Sequence, residues 1–82
     1  MVLVEIYVAC VDKTYDFRLD TKSVIKNVID EIIIVVSQKE DIELTIDKEH
    51  ITLSIVSKKI VMNKSLTLDD YNVVQGMKLM LV

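Results

Sequence analysis

His50 is the first residue to consider for chemistry in this 82-residue sequence. It is the only histidine, and it lies between Glu49 and Ile51 at the start of an alternating apolar stretch. A histidine general base needs an orienting partner and a nucleophile within hydrogen-bond reach. Adjacency in the sequence alone does not make Glu49 that partner. We therefore expect no catalytic role for His50.

The single cysteine, Cys10, limits redox and zinc chemistry. One cysteine cannot form an internal disulfide, and with one histidine it cannot complete a zinc site. A reactive thiol is one interpretation. The one we favour is a small apolar side chain at the end of a strand.

Carboxylates are more numerous, but their spacing does not match a metal site. Asp69 and Asp70 are adjacent, and we interpret Asp70 as a turn-capping residue rather than half of a carboxylate pair. An acidic segment lacks the glycine and the spacing of a calcium loop; its residues are Glu40, Asp41, Glu43, Asp47 and Glu49. The single glycine excludes a glycine-rich phosphate loop. We expect no catalytic residue, no metal and no cofactor, so the protein is predicted not to be an enzyme.

Composition indicates one domain over residues 1–82, with 51% hydrophobic residues and a net charge of −3. Nucleic-acid binding needs clustered basic side chains, and Lys58-Lys59 is the single local cluster, so we expect no nucleic-acid partner. The longest apolar run, Ile32 to Val36, is far shorter than the roughly 18 residues of a membrane span. No secretory signal pattern is present, so a cytoplasmic location without membrane insertion is expected.

The chain begins with two strand-like segments. Apolar residues alternate from Val2 to Val8, and Tyr15, Phe17 and Leu19 alternate with charged residues. Asp12-Lys13 is a polar break without the Asn-Gly or Asp-Gly of a two-residue turn, so a longer loop is expected.

The period then changes to that of a helix. Apolar residues recur at helical spacing from Val24 to Val36, with Asp20 and Thr21 as candidate N-caps. The many β-branched residues lower helix propensity, so burial against the rest of the fold must stabilise this helix.

The second half contains three further strand-like segments. Residues 38–50 are charged, and Ile42, Leu44 and Ile46 within them are compatible with either an irregular connection or a short strand. Alternation predicts a strand over 51–56, a turn at 57–59, a brief strand over 60–62 and a last strand over 77–82. Gly76 lies where a tight turn would need positive φ.

Strands with one apolar helix can bury themselves together when the helix covers one face of a mixed sheet. We therefore predict an α+β fold of the β-grasp type, a mixed four- to five-stranded sheet with one helix across one face and its first and last strands adjacent.

The segment from Leu66 to Val73, with Gly76 and the last strand after it, resembles the end of ubiquitin. In this segment Leu68 is expected in the core, Asp70 in a turn, and Tyr71 in a hydrogen bond to backbone. The chain also resembles the YukD/EsaB family of ubiquitin-like proteins associated with bacterial type VII secretion, best over Ile25 to Asp30 and Leu53 to Val82. The resemblance implies a cytoplasmic accessory or regulatory protein that binds components of that machinery. It also leaves open a ubiquitin-like domain cut from a larger membrane component.

The sequence stops at Val82 without the Gly-Gly tail of ubiquitin and the related sulfur carriers. If that end is native, conjugation is excluded. The alternatives are a carrier or modifier truncated before such a tail, or a ubiquitin-like adaptor unrelated to secretion.

The sheet face away from the helix is the predicted protein-binding surface. Its side chains are more apolar than a solvated face requires. The candidate binding residues are Leu3, Tyr7, Val56, Met80 and Val82. By resemblance, this is also the face through which ubiquitin meets most of its partners.

Overall fold

The structure, a computed structural model, describes residues 1–44 and 47–82 as one five-stranded sheet crossed by one helix. The elements are β1 (Val2–Val8), β2 (Lys13–Leu19), α1 (Ile25–Glu40), β3 (Leu53–Ile55), β4 (Ile60–Val61) and β5 (Lys78–Leu81). The strand order is β2-β1-β5-β3-β4, in which β1 and β5 run parallel and the other neighbours antiparallel. The predicted β-grasp, with its first and last strands adjacent, is confirmed.

The first hairpin has the predicted long connection. Residues Ala9–Val11 form a 3-10 turn, and Asp12 follows at φ 51 with its N–H donated to the Ala9 carbonyl. The left-handed conformation at Asp12 turns the chain back into β2. Cys10 lies on this turn and is exposed, so our interpretation of it as a small apolar side chain at the end of a strand is wrong.

The start of α1 differs from the prediction. Asp20 and Thr21 do not cap the helix, because the Asp20 carboxylate accepts the Lys22 N–H and stabilises a separate turn. Val24 is the residue before the helix, has extended backbone, and bridges to Thr67. That bridge holds Val24 out of the helix, so α1 begins at Ile25.

The helix also ends later than its apolar pattern. It continues past Val36 to Glu40 and stops at Asp41, which has φ 52. The Asp41 and Ile42 amides return to carbonyls of the last turn, those of Gln38 and Ser37. Glu40 binds Lys13 and Tyr15, contacts that the apolar periodicity could not indicate.

The core lies between α1 and one face of the sheet. Six helix residues at the predicted spacing are buried: Ile25, Val28, Ile29, Ile32, Ile33 and Val36. Sheet residues on the face toward the helix are buried as well: Val4, Ile6, Phe17, Leu53, Ile55, Leu79 and Leu81. Burying each aliphatic side chain contributes on the order of 1.5–3 kcal/mol, and this burial stabilises the β-branched helix.

The segment after α1 is described up to Leu44 and again from Asp47; Thr45 and Ile46 lie outside the described residues. Of the three apolar side chains predicted to anchor it, Leu44 is half-buried, Ile42 is exposed, and Ile46 lies outside the described residues. Residues 42–44 belong to no strand. The following strand is shorter than predicted: Ile51 is buried, but β3 begins at Leu53.

The segment from Leu66 to Gly76 has the contacts expected from its resemblance to ubiquitin. Leu68 is fully buried, and the Asn63 N–H donates to the Tyr71 hydroxyl at 2.7 Å. Thr67 and Asp70 bond reciprocally, because each side chain accepts the other residue's backbone N–H. Gly76 has φ 85, which confirms the predicted turn.

Candidate protein-binding face

The surface opposite α1 is built by strand alternation. Val4, Ile6 and Val8 of β1 point to the core, so Leu3, Glu5 and Tyr7 point the other way. The same alternation holds in the other strands. We call this surface the open face; its residues are Leu3, Glu5, Tyr7, Thr14, Asp16, Arg18, Ser54, Val56, Val61, Lys78, Met80 and Val82.

The register aligns the middle of the open face into a row across all five strands. Tyr7 lies opposite Met80, and Met80 lies opposite Ser54. The row continues to Thr14 at one end and to Val61 at the other. Neighbouring strands of a sheet lie about 4.7–4.9 Å apart, so the directly opposed Tyr7 and Met80 form one contiguous apolar centre.

A second row contains three charged side chains of this surface. Glu5 lies opposite Asp16 on one side and Lys78 on the other. The Lys78 Nζ is 3.9 Å from a Glu5 carboxylate oxygen, and the two side chains are 72% and 47% exposed. An exposed pair at this distance contributes little to stability. It therefore leaves both groups available to a partner.

Between the two rows is a shallow depression of about 390 Å³. Its lining combines the apolar centre with the charged pair: Glu5, Tyr7, Thr14, Val56, Lys78, Leu79 and Met80. An apolar floor with a few polar groups at its margin suits a side chain inserted by a protein partner.

The Tyr7 ring is held by its hydroxyl. That hydroxyl donates a hydrogen bond to the Asp12 carboxylate at 2.5 Å. The hydrogen bond, together with desolvation and the negative charge of Asp12, raises the pKa of Tyr7 above its ordinary value of 10.0. The phenol is therefore neutral at physiological pH, and its ring edge and face are the groups offered to a ligand.

All five predicted binding residues lie on the open face, but they do not form one cluster. Tyr7, Val56 and Met80 line the depression, and Leu3 and Val82 do not. Val82 is 55% exposed beside Thr52, with which it exchanges backbone hydrogen bonds. The sequence did not indicate Val61, which is 61% exposed at the end of the Tyr7 row. Its strand is two residues long, too short for alternation to show.

Two residues considered for chemistry share a second cleft. Cys10 and His50 both line a cavity of about 430 Å³ at the end of β5. His50 Nδ1 lies 2.5 Å from a carboxylate oxygen of Asp47, so the carboxylate beside it is Asp47 rather than Glu49. Both side chains of this pair are largely exposed to solvent. Within residues 1–44 and 47–82, no group of three or more His, Cys, Asp or Glu side chains is placed to hold a metal ion.

Comparisons with known proteins support the fold. No protein-family model matches the chain, and neither does any curated protein. Among 233 matching chains of solved structures is the solution structure of a ubiquitin-like domain from Arabidopsis thaliana. It superposes with a TM-score of 0.74 at 13% identity, over 99% of this chain and 74% of the other. The chain has the ubiquitin-like fold. At 13% identity the likeness shows the fold alone, so membership of the YukD/EsaB family stays a prediction.

Within the described ranges, no helix is both long and apolar enough to cross a membrane.

Proposed function

We propose that this ubiquitin-like domain is a non-catalytic module that binds another protein through its open face. The observation that carries the proposal is the contiguous Tyr7–Met80 centre beside the depression. Exposed apolar side chains that cluster often mark an interface, and tyrosine and methionine are enriched there. Around this centre, Leu3, Val56 and Val61 are 38%, 46% and 61% exposed.

Charge at the margin of the centre gives the partner a preferred orientation. Lys78 and Glu5 lie next to each other on neighbouring strands and are not tightly paired. A partner that places an apolar anchor in the depression meets both charges at its rim. Rim charges affect association rate and specificity more than affinity.

By its sequence resemblance to the YukD/EsaB family, we propose that the partner is a component of a bacterial type VII secretion system. The domain then serves as a cytoplasmic accessory or regulatory protein of that machinery. This assignment depends on the resemblance over Ile25 to Asp30 and Leu53 to Val82, and it is independent of the face used.

Two variants test the face. Met80→Glu places a charge in the apolar centre, and Ile34→Glu places the same charge on α1, where Ile34 is 57% exposed. Both replace an apolar side chain, half-buried at Met80 and exposed at Ile34, so the comparison separates the face from a general loss of hydrophobicity. We expect the tagged native chain and Ile34→Glu to capture the same proteins from the organism that encodes the chain. Met80→Glu should lose them while keeping its melting temperature within a few degrees.

The captured proteins, identified by mass spectrometry, test the secretion assignment separately. Type VII components captured by the native chain support it. An unrelated set that Met80→Glu fails to capture would retain the open face and overturn the secretion assignment. Equal capture by Met80→Glu and the native chain would overturn the open face. Covalent adducts with an adenylating enzyme would replace both with the carrier alternative.

A further inference from the structure

Strand β2 lies at one end of the sheet and is seven residues long. Within residues 1–44 and 47–82 its one strand neighbour is β1, so its other edge has no strand paired with it. On the opposite side of β1, toward β5, the Leu3 carbonyl accepts the Gly76 N–H and the Glu5 N–H donates to the Met77 carbonyl. Their neighbours Val4 and Ile6 therefore bond to Phe17 and Tyr15.

That pattern fixes which groups of β2 face outward. Since Phe17 and Tyr15 bond to β1, the intervening residues Thr14, Asp16 and Arg18 direct their N–H and C=O groups away from the sheet. No strand among the described residues pairs with this row, and such a row is a template for pairing with another strand.

The side chains on this edge carry opposite charges two residues apart. Asp16 and Arg18 are both exposed and both lie on the open face. The ion pairs formed between described residues involve neither of them. Directly opposed charges of unlike sign stabilise a strand pair, and like charges destabilise it.

We propose that a second copy of this chain pairs with the first, β2 against β2, in antiparallel register about Phe17. In that register Asp16 of each copy lies opposite Arg18 of the other. Both are outward-facing residues, so each pair also exchanges two backbone hydrogen bonds. Phe17 of one copy lies opposite Phe17 of the other. Its side chain points to the helix side of the sheet, where it is already buried within its own copy.

None of the neighbouring symmetric registers opposes unlike charges within β2 (Lys13–Leu19). Centring the pair on Asp16 opposes two carboxylates, and centring it on Arg18 opposes two guanidinium groups. Centring it on Tyr15 moves Arg18 opposite Asp12, which precedes the strand and has a left-handed backbone. Charges on an edge strand commonly prevent unspecific pairing. Of these four symmetric registers, the one centred on Phe17 opposes unlike charges within β2 itself.

The paired copies have a defined arrangement. An antiparallel strand pair has its two-fold axis perpendicular to the sheet, so both helices lie on one side and both open faces on the other. The two sheets become continuous, and two copies of the Tyr7–Met80 centre face the same direction. A partner with two binding segments would gain affinity from the higher effective concentration. The pairing itself does not depend on partner binding.

The test uses charge reversal and its restoration. Asp16→Arg alone opposes arginine to arginine, and Arg18→Asp alone opposes carboxylate to carboxylate. An equimolar mixture of the two variants restores both opposite-charge pairs, as does the double variant Asp16→Arg/Arg18→Asp. Glu31→Arg on exposed α1 carries the same charge change as Asp16→Arg and serves as the control.

Sedimentation velocity over a concentration series up to about 1 mM, the range of weak complexes, gives the readout. We expect the native chain, Glu31→Arg, the double variant and the mixture to dimerise, and each single reversal to weaken the dimer about tenfold or more. A native chain that is monomeric throughout would overturn the proposal. A dimer that both single reversals leave unchanged would overturn it too, because the contact would then lie elsewhere.

Discussion

The Tyr15 hydroxyl on β2 donates a hydrogen bond to a carboxylate oxygen of Glu40, the last residue of α1, at 2.5 Å. The other Glu40 oxygen accepts from the Lys13 Nζ at 2.7 Å. These two contacts join the end of the helix to the edge strand. Lys39 adds a third, with its Nζ 5.7 Å from the centre of the Tyr15 ring. The last turn of α1 is thus held by polar contacts where its apolar periodicity has ended.

Stability should decline at both ends of the pH range because of this contact. The hydrogen bonds from Lys13 and Tyr15 lower the pKa of Glu40 below its ordinary 4.5. The contribution of Glu40 is therefore present above pH 4.5 and lost as the pH falls through its folded pKa. The hydrogen bond to Glu40, with desolvation and nearby negative charge, raises the pKa of Tyr15 from 10.0 to about 12. Its contribution is present below pH 10 and lost as the pH rises through about 12.

Thermal melts of two variants across pH check this assignment. Tyr15→Phe should remove the alkaline loss due to this residue and reduce the acid loss. Lys13→Gln should reduce the acid loss while retaining the alkaline one, since the Tyr15–Glu40 bond remains. Identical pH profiles for the native chain and Tyr15→Phe would show that the bond does not form in solution.

Two leucines two residues apart should differ sharply in their effect on stability. Leu68 is fully buried and Leu66 is 40% exposed. Leu68→Ala leaves a cavity and should cost about 2–5 kcal/mol of unfolding free energy. Leu66→Ala should change the unfolding free energy by no more than about 0.5 kcal/mol. Urea unfolding followed by circular dichroism measures both, and comparable losses would contradict the placement of Leu68 in the core.

The sequence predicted those parts of the fold that depend on apolar periodicity. The buried face of α1 and the alternation of β1, β2 and β5 follow directly from side-chain spacing. The ends of α1 do not, because Val24 bridges to Thr67 and Glu40 bonds to Tyr15, both far away in the chain. A local pattern cannot contain such contacts.

For the candidate site, the sequence predicted which side chains share a face of the sheet but not which of them are neighbours. Alternation placed Leu3, Tyr7, Val56, Met80 and Val82 on one face. It could not show that Tyr7 and Met80 are neighbours, since that relation requires the parallel register of β1 and β5. It also missed Val61, which reaches the face through a two-residue strand.

Gly76 should resist substitution for reasons of backbone conformation rather than space. Its φ is 85, and a Cβ built there meets nothing within 4 Å. Gly76→Ala should therefore cost about 1 kcal/mol from the left-handed backbone. Gly76→Asn should cost less, because asparagine tolerates positive φ better. Chemical denaturation of both variants checks the order, and equal losses would indicate a steric cause.

The last prediction concerns neighbouring residues on opposite sides of β4. Val61 lies opposite Ser54 and belongs to the open face, whereas Ile60 lies opposite the buried Ile55 and points to the helix side. Ile60 is 38% exposed and Val61 is 61% exposed. Val61→Asp should weaken partner binding through the open face, because it introduces a charge at the end of the Tyr7–Met80 row. Ile60→Asp should leave that binding unchanged, although it adds the same charge to the same short strand.

Titration of each variant with the captured partner, followed by calorimetry, gives the comparison. The two residues are adjacent on the same strand. A difference in affinity between the variants therefore shows which face of the sheet the partner contacts, and does not depend on which strand it reaches. Equal weakening by both variants would indicate a partner that pairs with the β4 edge itself. Weakening by Ile60→Asp alone would place the partner on the helix side and contradict the open face.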